Sequence, residues 1–213
     1  MSFVPYMKRK TMMVIATVLV VAIFLAYRPS KANEPTSDLS EYEVATFAGG
    51  CFWCMEAAFE ATDGVIESIS GYTGGNVPNP TYEQVNTKTT GHLEAIQVYY
   101  DPSEVTYEEL LDVFWRNIDP TDDRGQFVDR GAQYATAIFY ATPEEMILAE
   151  ESRLVLEESA RFNDPIVTEV LELDIFYKAE EYHQDYYKKN LVNYKIYESL
   201  SGREEFKENN WGE

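Results

Sequence analysis

Polar and apolar positions alternate with period two over residues 42–48, Tyr-Glu-Val-Ala-Thr-Phe-Ala, which predicts a β-strand. After Gly49-Gly50 the period changes. Met55, Ala58, Phe59 and Thr62 recur at helical spacing while Glu56 and Glu60 face another way, which predicts a helix over 52–61. Asp63-Gly64 turns the chain into a second strand, 65–72. Residues 73–91, rich in glycine, proline and asparagine, predict a long loop, and long connections of this kind usually carry function. A third strand follows at 92–100, where Glu94 shares one side with Ile96 and Val98, so its carboxyl group is either half-exposed at the strand end or buried with a raised pKa.

Thr106-Tyr107-Glu108-Glu109 fits a capping box opening a helix through Leu110, Leu111, Val113 and Phe114 to about Asn117. Residues 121–132 form a second polar loop, and 134–140 a fourth strand. Thr142-Pro143 caps a helix reaching about Phe162, with an acidic water-facing side, and 166–173 predict a fifth strand. The tyrosine-rich tail from Tyr177 suits one helical stretch to Tyr187 and a looser second piece packed on the domain. The polar end, 203–213, is expected to be loosely held.

The order β-α-β-β-α-β predicts a split βαβ unit. The fold class is therefore an α/β (α+β), ferredoxin-like two-layer sandwich with an antiparallel or mixed sheet, helices on one face, an added helix and strand, and a long C-terminal segment.

The N-terminus differs in kind. Lys8-Arg9-Lys10 precedes an apolar run at 11–27 with no charge until Arg28. As a helix this run would be about 25 Å long against a hydrocarbon core of roughly 30 Å. The basic flank predicts a membrane anchor with the catalytic domain outside the cytoplasm; a secreted protein left by signal cleavage is the alternative. The organisation expected is 1–27 basic flank and anchor, 28–40 linker, 41–200 catalytic domain and 201–213 polar tail. The formal charge is −20, from 17 basic and 37 acidic residues. Five of the 17 basic residues lie before Glu34, so 12 remain against all 37 acids in the rest of the chain. A surface this acidic argues against nucleic acid as a partner.

Both cysteines lie in Gly50-Cys51-Phe52-Trp53-Cys54, at the predicted start of the first helix. There, free backbone N–H groups and the helix dipole favour an anion, so the Cys51 thiol is expected to shift toward thiolate. Cys54 lies one turn on, on the same face. A Cys-x-x-Cys pair can be a zinc half-site, a small structural disulfide or a redox pair. The first lacks ligands, since only His92 and His183 could join it, and the second closes too short a loop to stabilise much. No metal or organic cofactor is expected. No dinucleotide, Walker or EF-hand signature occurs.

Gly50-Cys51-Phe52-Trp53 with Glu56, Gly71-Tyr72-Thr73-Gly74-Gly75, Asn79-Pro80-Thr81-Tyr82, Thr90-Gly91-His92-Leu93-Glu94-Ala95, Phe114-Trp115, Asp119-Pro120, Asp129-Arg130-Gly131, Gln133-Tyr134 and Tyr182-His183-Gln184 run in order along the chain. Together they resemble the peptide methionine sulfoxide reductase A family, from about Glu43 to Tyr187. The resemblance implies reduction of the S epimer of methionine sulfoxide, free or in proteins. It implies Cys51 as nucleophile, Phe52 and Trp53 as walls for the substrate methyl group, and Glu94 as the acid for the sulfoxide oxygen. Tyr82 and Tyr134 match hydroxyls that bind that oxygen, and Asp129 matches a polar support of the pocket. The segment at His183 matches the family without an assigned role.

The chain departs from the commonest family arrangement, which has glycine at position 54 and a resolving cysteine in the tail. With Cys54 and no tail cysteine, resolution of a Cys51 sulfenic acid is expected at Cys54, followed by recycling through a thioredoxin-like reductant; an external thiol is the alternative. A general thiol-disulfide oxidoreductase and a redox-regulated interaction module are the rival classes, and neither uses Glu94, Tyr82, Tyr134 and the aromatic pair together.

Overall fold

The computed structural model describes residues 38–212, so the expected anchor at 1–27 lies outside the described residues. No helix among the described residues is long and apolar enough to cross a membrane. Strand β1 (Glu43–Gly49) leads into helix α1 (Phe52–Glu60) and strand β2 (Val65–Thr73). A short helix α2 (Tyr82–Asn86), strand β3 (Leu93–Tyr100) and helix α3 (Tyr107–Arg116) follow. A two-residue ribbon, β4 (Gly125–Gln126) with β5 (Asp129–Arg130), precedes β6 (Thr136–Tyr140), α4 (Pro143–Glu158), β7 (Glu169–Glu172) and β8 (Tyr177–Lys178). Three C-terminal helices end the chain: α5 (Tyr186–Lys189), α6 (Leu191–Ser201) and α7 (Arg203–Trp211).

The main sheet has the order β7-β6-β1-β3-β2-β8. β3 lies antiparallel between β1 and β2, which makes the β1-α1-β2 connection the expected split unit. The ferredoxin-like arrangement is thus present, and β7 extends it in parallel beside β6, across the α4 connection. One face of the sheet carries Phe47, Ile96, Val98 and Ile138, all buried under the helices. Phe47 stacks on Phe59 of α1 at 5.1 Å and on Phe114 of α3 at 5.3 Å, so one strand residue ties both helices to the sheet. The other face holds Ala48, Ala95, Ala137 and Phe139 beneath Leu173 and Phe176.

Sequence expectations hold best where caps are local. Thr106 and Glu109 form the expected reciprocal capping box, and Thr142 accepts from the Glu145 N–H. Elsewhere the structure corrects them. The loop at 73–91 contains α2, opened by a second capping box between Thr81 and Gln84. The strand expected from 134 begins at Thr136, because Ala132–Tyr134 is a 3-10 turn. The helix expected to reach 162 ends at Glu158, where Ala160 turns left-handed with φ 52°. The strand expected at 166–173 pairs only over Glu169–Glu172. The tail forms no helix before Tyr186, and its polar end is helical, with Arg203 buried and Phe206 stacked on Phe162 at 6.1 Å. Glu56, expected to face away from the core, is buried on α1.

Candidate active site

The turn before α1 requires glycine. Gly50 has φ 83°, and a Cβ there would lie 2.6 Å from the Gln126 side chain. This turn sets Cys51 at the N-cap of α1, where its carbonyl accepts the N–H groups of Cys54 and Met55. The next free N–H, that of Phe52, donates to Glu94 Oε2 at 3.1 Å. The helix start therefore binds the carboxyl group of Glu94, and the expected stabilisation of a Cys51 thiolate by that N–H is not what the site provides.

Glu94 resolves the alternative left by its strand position: it is buried with Ile96 and Val98, 3% exposed. Burial pushes its carboxyl up to about 8, with the Phe52 N–H opposing and the charges of Asp129 and Cys54 adding to the rise. At neutral pH it is mostly a carboxylic acid able to donate a proton.

Cys51 and Cys54 are both free thiols, both buried, and bonded to each other through Cys51 S–H. That hydrogen bond, then burial and the nearby charges of Cys54, Glu94 and Asp129, holds Cys51 well above the ordinary thiol value. The same bond lowers Cys54 to about 7 against its burial, with Arg203 and Tyr194 contributing. The expectation of a thiolate at Cys51 is corrected: the first negative charge of the pair rests on Cys54. The reason is chiefly the hydrogen bond, which keeps the proton on Cys51 as donor and favours charge on Cys54 as acceptor; burial of Cys51 and the Arg203 charge on Cys54 act in the same sense.

The other expected residues meet here. The Tyr134 hydroxyl donates to that of Tyr82, and both rings feel the charges of Glu94 and Cys51. Glu180 holds this wall, accepting from the Tyr82 N–H at 2.9 Å and from the Tyr72 hydroxyl at 2.9 Å. Phe52 is buried and Trp53 half-buried, with ring centroids 6.3 Å apart. Asp129, on the β4-β5 ribbon, accepts a short hydrogen bond from Tyr197. Its carboxyl is raised by burial, against the Tyr197 bond and the charges of Arg203 and Arg130.

Sequence reasoning missed what the tail contributes. Tyr186 stacks on the Trp53 indole at 3.7 Å, and Tyr197 meets its edge at 6.4 Å. His183, unassigned from sequence, is 1% exposed, and its Nδ1 accepts from Trp53 Nε1–H at 3.2 Å. Burial lowers this ring to about 4, so it is neutral with its proton on Nε2. Its ring also packs on Phe52 at 4.9 Å and on Tyr82 at 4.6 Å, joining the methyl-sized aromatic wall to the hydroxyl wall. The only signal for these contacts was the tyrosine density and the Tyr-His-Gln segment; nothing in the sequence pointed to Arg203.

A buried nucleophile pair, a carboxylic acid and two hydroxyls around an aromatic wall can take an oxygen from a small polar S–O group. The profile of the family described as peptide methionine sulfoxide reductase matches residues 43–213. The peptide methionine sulfoxide reductase MsrA of Bacillus licheniformis is 55% identical over 170 residues, covering 80% of this chain and 94% of that relative. The MsrA of Bacillus pumilus is 54% identical over 171 residues, covering 80% and 96%. Among solved structures, methionine sulfoxide reductase A of Corynebacterium diphtheriae superimposes with TM-score 0.65 at 33% identity, covering 75% of this chain and 82% of that one. Reduced Mxr1 of Saccharomyces cerevisiae gives TM-score 0.66 at 30% identity, covering 70% and 86%.

Proposed function

From the premise that the chain belongs to the peptide methionine sulfoxide reductase family, we propose that it reduces the S epimer of methionine sulfoxide, free and in proteins, through Cys51 and a Cys51–Cys54 disulfide. The protein is an oxidoreductase working by a cysteine–disulfide cycle. The observation that carries the site assignment is the Phe52 N–H holding a protonated Glu94 at the mouth of the helix that bears Cys51.

Substrate enters with its S-methyl group against Phe52 and Trp53, where sulfur–aromatic contacts contribute roughly 0.3–1.5 kcal/mol. Its oxygen meets Glu94 and the hydroxyls of Tyr82 and Tyr134, while Asp129, braced by Tyr197, supports the polar side. Binding the sulfoxide beside Cys51 lets the shared proton pass to Cys54, and Cys51 attacks the sulfoxide sulfur. Glu94 protonates the oxygen, which is otherwise a poor leaving group, and the tyrosine hydroxyls stabilise the shifting charge. In the net step the oxygen moves to Cys51 as a sulfenic acid and the substrate sulfur is reduced by two electrons. Cys54 then attacks Cys51, giving the disulfide and water, and a thioredoxin-like dithiol restores both thiols.

The test is a single turnover of pre-reduced protein on racemic methionine sulfoxide, with disulfide mapping afterwards. One methionine per chain, drawn from the S epimer alone and leaving Cys51 bonded to Cys54, is expected. Methionine without that disulfide moves resolution to an external thiol, and no methionine removes the assignment.

The basic Lys8-Arg9-Lys10 flank and the apolar run at 11–27 support a further proposal, that the chain is anchored in a membrane with its catalytic domain outside the cytoplasm. Carbonate extraction of membranes should retain the full-length chain; its release into the supernatant would rule out the anchor.

A further inference from the structure

Arg203 is the residue that the proposed chemistry leaves unexplained. It opens α7, the last described helix, directly after Gly202, which has φ 85°. Arg203 is 3% exposed. Nη1 donates to the Asn117 carbonyl, at the C-terminal end of α3, and lies 3.6 Å from Met55 Sδ. Nη2 lies 3.4 Å from the Gly49 carbonyl, and the group sits 4.7 Å from the centre of the Phe127 ring. Gly49 precedes the cysteine turn and Met55 follows it, so the cation is wedged under the segment that carries Cys51 and Cys54.

Closing the end of α3 is a sufficient reason for a hydrogen-bond donor here, but not for a buried charge. Leaving water costs a buried cation several kcal/mol unless an anion or a full set of acceptors answers it. Two acids that share its cleft are otherwise engaged: Glu198 pairs with Lys195 at 2.6 Å and Glu204 with Lys207 at 3.7 Å. Among the described residues no carboxylate makes an ion pair with Arg203. Cys54 and Arg203 do line one cleft, and the thiol, the half-buried Asp129 and the Tyr194 hydroxyl feel its charge.

We infer that Arg203 is a positioning residue for the second half of the cycle: fixed beneath the first turn of α1, it supplies the positive charge against which Cys54 attacks oxidised Cys51. The inference rests on the proposed reductase reading and deepens it. In the reduced protein the Cys51 thiol itself holds Cys54 low. Once Cys51 carries oxygen, that thiol proton is gone, and the resolving step must proceed without it. Arg203 and the Tyr194 hydroxyl then remain as the groups favouring a Cys54 thiolate, against burial and Asp129. Glu94 and Tyr197 also feel the charge on Cys54. The Cys54 thiolate forms the S–S bond as the Cys51 S–O bond breaks; hydroxide leaves and is protonated to water, and no further oxidant is consumed.

The experiment mixes pre-reduced full-length protein with one equivalent of methionine sulfoxide between pH 6 and 9. It follows methionine release, disulfide formation and sulfenic acid captured by a 1,3-dicarbonyl trap. For R203M the methionine burst should keep its amplitude of one per chain, with its rising pH limb displaced upward, while disulfide formation at pH 7 lags the burst roughly tenfold more than in the parent, its pH midpoint moves up and trapped sulfenic acid accumulates. R203K should keep most of the parent's rate and its pH midpoint. Disulfide formation in R203M with the parent's rate and pH profile would overturn the inference. So would a folded R203K as slow as R203M, and R203K decides alone if R203M does not fold. Absence of a methionine burst in the parent would instead sink the reductase reading.

Discussion

Glu94 and Cys54 titrate close together, and that proximity sets the rate profile of the first chemical step. The cysteine pair loses its first proton near 7, at Cys54, while Glu94 loses its own near 8. The reactive form needs the pair ionised and Glu94 protonated, so the burst rate should climb through about 7 and fall as pH rises through about 8. Both limbs are macroscopic values of interacting groups. Glu94→Gln keeps an acceptor for the Phe52 N–H but has no proton to give. It should lower the burst roughly 10²–10⁴-fold and abolish the descending limb, as rapid-quench measurement of methionine would show. A normal burst in E94Q would remove Glu94 as the acid. Alternation put Glu94 on the side of Ile96 and Val98 but left open whether it was half-exposed or buried, and its role as the acid came from the family resemblance. Its partners were not legible: the Phe52 N–H lies 42 residues away in sequence, and the Tyr197–Asp129 bond spans 68.

Helix α1 carries the chemistry at one end and a buried acid on its flank. Glu56 Oε1 accepts the Asp185 N–H at 3.0 Å, tying α1 to the start of α5, and its Oε2 is buried without a hydrogen-bond partner among the described residues. Burial raises its carboxyl to about 8. Because this folded-state value lies above that of the unfolded chain, the stabilisation is fully present below the ordinary carboxylate range, near 4.5, and is lost as pH rises through 8. Glu56→Gln keeps the acceptor for Asp185 and removes the titration. Relative to the parent it should gain on the order of 1–3 kcal/mol at pH 9, a Tm difference of about 3–10 °C that closes toward pH 5. Equal Tm values at pH 9 would show that Glu56 ionises without cost. The capping box from Thr106 to Glu109 and the Thr142 cap were easy to read. The second box, Thr81 to Gln84, carries the same signal inside a Gly/Pro/Asn-rich stretch, and composition masked it. Helix α7 was hidden for another reason: Phe206 and Trp211 are its only large apolar residues, too few to give a helical period, and both meet the Phe162 ring.

For the whole molecule, the order of elements was enough to give the split unit, since β3 can reach both β1 and β2 only from between them. What the order could not give is how the tail folds back, because that contact depends on single side chains such as Tyr186 against Trp53 and Arg203 under α1. The charge acts on the molecule at this same scale. With 37 acidic and 17 basic residues, the folded state gathers like charges that the unfolded chain spreads out, and self-repulsion opposes compaction. Several surface cations already have acidic partners: Lys188 with Glu60 and Asp185, Lys189 with Glu181, Arg153 with Glu150. Screening should therefore relieve more repulsion than it removes attraction. Raising NaCl from about 0.05 M to 0.5 M shortens the screening length from roughly 14 Å to 4 Å, less than the spacing of most surface charges. Tm is expected to rise by several degrees over that range, whereas sucrose of equal osmolality, which does not screen, should move it less. A Tm that falls with salt would mean that the paired cations outweigh the acidic surface in holding the fold together.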